Sequence, residues 1–234
     1  MDLILINNSK GGVGKSVVCR ALFQYHLDRG HPCVGYDSDR SNPDVYRTYG
    51  RIMPVKLAIL SEASKFEDHA NGIFNDALSH RVIVNLPAQV HQPLRDWIMK
   101  NELLEIAPDA GVRFHFWFVS DAGYDSLQLL KATLDLYQDK VRHVIVRNYG
   151  RTDDFQSLEE HEEIQKLARA YQAEFIDFPM LTGSVIRNRI DTESLSFGAA
   201  LAREDFGLID KTRIRKFLRE AYRNFETTEL FRHA

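Results

Sequence analysis

Three glycines, a lysine and a serine near the start of the sequence form a pattern suited to binding phosphate. Residues 10–16 read Lys-Gly-Gly-Val-Gly-Lys-Ser and lie between a short apolar run and a helical pattern. Glycines let the backbone turn several amide groups inward, and the positive end of the following helix adds to the attraction for phosphate oxygens. We expect Lys15 to neutralise the β- and γ-phosphates of a nucleotide and the hydroxyl of Ser16 to ligate Mg²⁺.

Polar side chains also follow two later apolar runs. Asp37 and Asp39 come directly after the second run and are two residues apart, so both can face the same cleft. Asn85 stands near the end of the third run, just before Leu86 and Pro87. An amide can form a hydrogen bond with a metal-bound water, but it brings no negative charge towards Mg²⁺.

Short apolar runs alternate with helical patterns along the chain, and these elements must position the polar residues. Strands are predicted over 3–7, 33–36, 81–86, 112–119, 141–146 and 173–178. Helices are predicted over 16–29, about 61–78, 127–137, 158–171 and 210–225. Several strands are apolar on both faces. The pattern predicts one doubly wound α/β domain over residues 1–234, with a mostly parallel sheet covered by helices on both faces.

Composition and charge narrow the classes of function. The formal net charge of the 234-residue chain is −3, so any contact with nucleic acid must come from a local basic patch. Cys19 and Cys33 are the only cysteines, which excludes a disulfide framework and argues against a structural zinc or iron–sulfur site built by one chain. We expect no transmembrane segment and a cytoplasmic protein, because no apolar run approaches membrane length.

Lys10 is not needed to hold phosphate within one subunit. Together with the loop that follows, it resembles the deviant Walker A motif of the ParA/MinD family of P-loop ATPases. In that family the additional lysine reaches the phosphates of the partner subunit across a nucleotide-sandwich dimer. The resemblance implies that Lys10 does so here and that ATP joins a transient homodimer; the alternative is a solvated loop lysine.

The resemblance extends to the Asp37-Ser38-Asp39 segment and the downstream Asn42. It implies that Asp37 lies near Mg²⁺ through water and that Asp39 orients or deprotonates the attacking water. Asn85 occupies the place of the Walker B aspartate of the family. The catalytic set that the resemblance implies is Lys10, Lys15 and Asp39, and the metal set is Ser16, Asp37 and, more distantly, Asn85. We expect slow hydrolysis, or nucleotide binding without turnover.

Two later positions fit recognition of the base. Asn148 follows the fifth strand, where related ATPases place an asparagine that bonds to adenine, and Pro179 follows the sixth, where relatives pack a proline-containing segment against the base. The implied nucleotide-binding set is Lys10, Gly11, Gly12, Val13, Gly14, Lys15, Ser16, Val17, Asn148 and Pro179.

Basic residues in the C-terminal part of the chain suggest what the ATP-bound protein binds. ParA-like proteins bind nonspecific DNA as ATP dimers, and a basic helix can contact phosphates. The candidate DNA contacts are Arg187, Arg189, Arg215, Lys216 and Arg219. The resemblance therefore implies plasmid partition or DNA mobilisation in conjugation. An adaptor or cargo protein would direct the ATPase to its target. The apolar face of the helix at 210–225 could instead meet a membrane, as in MinD-like proteins, or pack on the domain.

Two other functions stay open. Asn85 favours a regulatory switch that uses nucleotide to dock a protein or a membrane with little or no hydrolysis. A P-loop ligase or kinase for a small molecule would share the fold and the loop, although such enzymes usually lack the residue that corresponds to Lys10.

Overall fold

Seven parallel strands form one sheet in the computed structural model, which describes residues 1–61 and 68–232. The strands are β1 Asp2–Asn7, β2 Val34–Asp37, β3 Val55–Leu57, β4 Val82–Asn85, β5 Arg113–Ser120, β6 Arg142–Asn148 and β7 Glu174–Phe178. Their order across the sheet is β3-β2-β4-β1-β5-β6-β7, and every neighbouring pair is parallel. The sheet is thus wholly rather than mostly parallel.

Helices cover both faces of this sheet. They are α1 Lys15–Arg29, α2 Asp44–Tyr49, α3 Asn71–Ala77, α4 His91–Lys100, α5 Leu103–Ile106, α6 Tyr124–Tyr137, α7 Gln156–Glu159, α8 Glu162–Ala170, α9 Ser184–Thr192, α10 Phe197–Ala202 and α11 Leu208–Phe225. Side chains of β1 alternate between the two layers: Ile4 and Ile6 pack with α1 and α11, whereas Leu3 and Leu5 pack with α3 and α4. Burial on both faces explains why the strands read as continuous apolar runs.

The differences from the predicted elements are local. Edge strand β3 was not predicted, because it has three residues and only Val55 among them is buried. The helix predicted over 158–171 is two helices, α7 and α8, and the side chain of His161 accepts a hydrogen bond from the amide of Ile164 at the start of α8. The helix predicted over 61–78 is represented by α3, and residues 62–67 of it lie outside the described part of the chain.

The basic helix α11 packs its apolar face into the core. The side chains buried there are Ile214, Phe217, Leu218, Ala221, Tyr222 and Phe225. Burying each large apolar side chain contributes about 1.5–3 kcal/mol to stability. This face is therefore not available to a bilayer. Within the described residues, no helix combines the length and the apolar character that crossing a membrane requires.

Candidate nucleotide-binding site

The glycine-rich loop lies at the centre of the sheet, between the end of β1 and the start of α1. Helix α1 packs on one face of the sheet, whereas α4 and α6, which follow the neighbouring strands β4 and β5, pack on the other. Helices that leave in opposite directions open a crevice at the carboxyl ends of the strands, which is where open α/β sheets bind ligands. The fold thus puts the loop where a ligand has access.

Two glycines of the loop have conformations that favour glycine. Gly12 has φ +79° and Gly14 has φ +98°. A Cβ atom built on Gly14 would lie 2.3 Å from Nδ2 of Asn148, which is closer than nonbonded atoms approach. Both the backbone angle and the space therefore require glycine at position 14.

Lys15 follows as the first residue of α1 and is buried. Its ammonium donates a hydrogen bond of 3.0 Å to the carbonyl oxygen of Lys10, so the side chain folds back over the loop. Burial lowers the pKa of Lys15 to about 8, and the nearby carboxylate of Asp39 opposes this shift. A desolvated ammonium at a helix N-terminus gains strongly from an anionic partner.

Asn8 fastens the loop to the neighbouring strand and was not among the predicted residues. Its Nδ2 donates to the carbonyl of Val119 at 2.8 Å and to the hydroxyl of Ser126 at 2.9 Å. Its Oδ1 accepts from the amide of Lys10 at 2.9 Å. A polar side chain at the end of an apolar strand was the one sequence signal that could have indicated it.

Lys10 forms an ion pair within its own subunit. Its Nζ lies 2.7 Å from Oδ2 of Asp121, a residue in the loop between β5 and α6. Burial alone would raise the pKa of Asp121, but the hydrogen bonds from Lys10 and from the amide of Gly123 hold it below its ordinary value. Asp121 was not predicted, because nothing in its local sequence marks it as the partner of a residue 111 positions away.

The three residues predicted to lie near Mg²⁺ form one hydrogen-bonded cluster. Nδ2 of Asn85 lies 3.0 Å from Oδ1 of Asp37 and 3.4 Å from the hydroxyl of Ser16. Oδ2 of Asp37 accepts from the amides of Val45 and Tyr46 at 2.9 and 3.0 Å. The carboxylate therefore also holds the first turn of α2. Burial raises the pKa of Asp37, and these hydrogen bonds oppose the shift.

The donor atoms of this cluster suit a magnesium ion. Oδ1 of Asn85 is buried and has no hydrogen-bond partner among the described residues, so it can accept a bond from a metal-bound water. The hydroxyl of Ser16 and the carboxylate of Asp37 are the oxygen groups beside it. Hard oxygen ligands with water between the ion and the carboxylate are typical of Mg²⁺.

Asp39 lies in a tight turn beside this cluster. Its Oδ1 accepts from the amide and hydroxyl of Ser41 at 3.1 and 2.6 Å and from the amide of Asn42 at 3.2 Å. The turn holds the carboxylate close enough to Lys15 to affect the pKa of that lysine. Its action on an attacking water stays a prediction.

A cavity of about 320 Å³ opens beside the loop. Four of the residues predicted to bind nucleotide line it: Gly14, Val17, Asn148 and Pro179. Its lining also includes the charged residues Arg20, Arg151, Arg187 and Asp191. A volume of this order suits a nucleoside, since small-molecule pockets begin at about 300 Å³.

Asn148 links this cavity to the phosphate loop. Its Nδ2 donates to the carbonyl of Val13 at 2.6 Å, and its Oδ1 accepts from the amide of Gly150 at 3.0 Å. The side chain therefore holds the loop against the turn after β6. A contact between Asn148 and adenine stays a prediction, and so does the contact with Pro179.

Comparisons with known proteins identify the family of the chain. No protein-family model matches the chain. Protein MobD from Acidithiobacillus ferrooxidans is 30% identical to it over 159 residues, which make up 66% of this chain and 67% of MobD. The chain belongs to the MobD family.

Solved structures show which fold this member of the MobD family has. The MinD cell division protein of Aquifex aeolicus superposes with a TM-score of 0.52, covering 98% of each chain at 12% identity. The MinC:MinD complex of the same organism gives 0.53, covering 98% of this chain and 97% of the other, also at 12% identity. The predicted fold class, a single doubly wound α/β sheet with helices on both faces, is confirmed.

The predicted DNA contacts of this MobD-family chain are spread over different surroundings. Arg187 lines the cavity beside the loop. Arg189 forms ion pairs with Glu193, at 2.8 Å, and with Asp205. Arg215 and Arg219 line a groove along α11 that also includes Arg29 and Arg223, and Lys216 lies 3.8 Å from Glu220. Arg187 therefore lines a different cavity from Arg215 and Arg219.

Proposed function

We propose that this chain is an ATPase that binds ATP and Mg²⁺ at the loop of residues 10–16, dimerises on ATP and hydrolyses it slowly in the service of DNA mobilisation. One observation carries the proposal: the glycine-rich loop ends at a buried Lys15, between the Ser16–Asn85–Asp37 cluster and a cavity of about 320 Å³. Protein groups suited to the phosphates, the metal and the base of a bound nucleotide therefore lie next to one another.

The residues of the site divide the work of binding. Backbone amides of the loop and the N-terminus of α1 attract the phosphate oxygens, and Lys15 neutralises their charge. Ser16 would ligate Mg²⁺, while Asp37 and Asn85 would accept hydrogen bonds from its waters. When bound, Mg²⁺ supplies charge neutralisation on the β- and γ-phosphates.

Lys10 supports the proposal of a dimer. Its side chain is about one-third exposed and lies on the loop itself, where a second subunit could approach. In the dimer it would leave Asp121 and bind the phosphates held by the partner subunit. The deviant Walker A role of this lysine, with ATP between two subunits, belongs to the proposal.

Asn85 supports slow turnover. Phosphoryl transfer depends on positioning and charge, and a neutral amide in place of a carboxylate removes one charge from the metal site. Asp39 would orient the attacking water. The same observation favours a second candidate, a nucleotide-dependent switch that docks a partner protein without turnover.

The cellular process rests on the relationship with MobD and on the surface of α11. Of partition and mobilisation, we favour mobilisation because the chain belongs to the MobD family. Arg215 and Arg219 would contact DNA phosphates without sequence preference, and an adaptor protein would direct the ATPase to its target.

The test measures oligomeric state and DNA binding in the same samples, with ATP, with ADP and without nucleotide, at fixed moderate salt and with Mg²⁺. Light scattering is expected to show a dimer with ATP alone, and a duplex of unrelated sequence should bind that dimer. Lys15→Ala, which is expected not to bind nucleotide, serves as the control. A dimer that binds no DNA would leave the protein-docking switch, and ATP binding without a dimer would leave a small-molecule ligase or kinase.

A further inference from the structure

Two arginines beside the phosphate loop have no acidic partner in the part of the chain that the structure describes. Arg151 and Arg187 both line the cavity, and neither guanidinium forms an ion pair or a side-chain hydrogen bond with any residue in 1–61 or 68–232. Neighbouring arginines are compensated: Arg147 pairs with Glu159 and Asp177, both at 2.7 Å. The charges of Arg151 and Arg187 are therefore unpaired where they face this cavity.

The cavity itself offers these arginines no free carboxylate. Asp191 is the one acidic residue among the described lining residues, and its Oδ1 lies 2.8 Å from Nη1 of the buried Arg20. Arg20 also pairs with Asp44 at 3.3 Å. Two cations facing a cavity in which the one described carboxylate is already paired with another arginine favour an anionic ligand.

Arg151 has a defined position relative to the phosphate loop. Its Nε lies 3.7 Å from the point where a Cβ on Gly14 would be. Its amide donates to the carbonyl of Asn148 at 2.9 Å, and Asn148 in turn bonds to the carbonyl of Val13. The turn that carries Arg151 is thus fastened to the loop, which sets the guanidinium beside the N-terminus of α1.

We infer that Arg151 and Arg187 bind the nucleotide within its own subunit, with Arg151 on the phosphate nearest the ribose and Arg187 closing the cavity from α9. The ligand class is a nucleoside diphosphate or triphosphate, and the inference rests on the proposed function. Both arginines would then bind nucleotide in the monomer, and they would contact ADP as well as ATP. Lys10 differs, because its partner within the subunit is Asp121.

Calorimetric titration with ADP in the presence of Mg²⁺ tests this inference without the proposed ATP dimer. Arg151→Ala and Arg187→Ala are each expected to bind ADP roughly ten- to a hundredfold more weakly than the wild type, the usual effect of losing a charge-assisted hydrogen bond. Arg151→Lys should keep part of the affinity. The matched control is Arg169→Ala on α8, an exposed arginine that lines neither the cavity nor the loop.

Thermal unfolding without nucleotide should be alike for the Arg151, Arg187 and Arg169 variants, which shows that the fold is kept. If the wild type binds ADP, and Arg151→Ala and Arg187→Ala both bind it with an affinity within twofold of that of Arg169→Ala, the inference is overturned. The proposed function would be unaffected by that result. A wild type that binds neither ADP nor ATP would overturn both.

Discussion

Nζ of Lys10 lies 2.7 Å from Oδ2 of Asp121 within a single subunit. The lysine that the proposed function assigns to the partner's phosphates therefore has a resting position on its own chain. Moving to a phosphate requires that this ion pair break. Dimerisation would then depend on the competition between Asp121 and nucleotide for one ammonium group.

Weakening that ion pair is expected to strengthen the ATP dimer. Asp121→Asn removes the charge but keeps an acceptor for the amide of Gly123. Partly exposed ion pairs contribute up to about 1 kcal/mol each, and a symmetric dimer would break two of them, so the dimer should tighten by as much as roughly thirtyfold. Sedimentation over a range of protein concentrations with ATP measures this, with Lys10→Ala as the variant that loses the dimer. A weaker dimer in Asp121→Asn would mean that Asp121 itself contacts the partner.

Restoring a carboxylate at position 85 should raise turnover. In Asn85→Asp a second negative charge lies beside Asp37, where the metal would be held, and we expect roughly tenfold faster phosphate release. Two adjacent buried carboxylates repel each other, so this variant should melt at a lower temperature without Mg²⁺ and recover with it. Asn85→Ala controls for loss of the amide. Turnover unchanged in Asn85→Asp would show that Asp37 already suffices or that another step is limiting.

Gly14→Ala tests the geometry of the phosphate loop. The substitution meets both an unfavourable φ of +98° and an atom 2.3 Å away, so we expect loss of ADP binding and a free energy of unfolding lowered by about 2 kcal/mol or more. Gly111→Ala is a matched control, with φ +69° but nothing within 4 Å of the new Cβ. It should lose about 1 kcal/mol and bind ADP normally. Calorimetry and chemical denaturation give both quantities, and equal effects of the two substitutions would contradict the expected clash.

Nucleotide affinity should fall as the pH rises through the pKa of Lys15. Burial lowers this pKa to about 8, so the free site loses its ammonium charge above that pH. Bound phosphates stabilise the charged form and raise its pKa, which makes binding take up a proton in this range. Affinity for ADP is expected to fall about tenfold for each pH unit above about 8. Lys15→Arg keeps its charge and should show a flat profile between pH 7.5 and 9.5, and a flat wild-type profile would contradict the assignment.

Charge reversal on α11 tests the DNA surface. Arg215 and Arg219 are both exposed, one helical turn apart. The double variant Arg215→Glu, Arg219→Glu should weaken binding to nonspecific duplex and lower the slope of log affinity against log salt by about 2 for each subunit that contacts DNA. Arg169→Glu, on α8, reverses a charge elsewhere and serves as the control. If the double variant and the control bind alike, another surface contacts DNA.

The sequence by itself determined the elements whose signals are local. The phosphate loop, the apolar strands and the amphipathic α11 could be predicted because glycine spacing and apolar periodicity report on neighbouring residues. The cluster of Ser16, Asp37 and Asn85 could also be expected, because parallel strands bring their carboxyl ends to one edge of the sheet. The three-residue strand β3 was too short to show a period.

The tertiary structure alone decided which distant groups meet. Lys10 contacts Asp121, which is 111 positions away in the sequence, and Asn148 donates to the carbonyl of Val13, which is 135 positions away. Arg151 and Arg187 look like ordinary surface charges in the sequence, yet the fold puts both on one cavity, with no acidic partner among the described residues. Such pairings depend on how β5, β6 and α9 pack around β1. Side-chain contacts between elements leave no periodic trace in either segment, and so a single sequence could not reveal them.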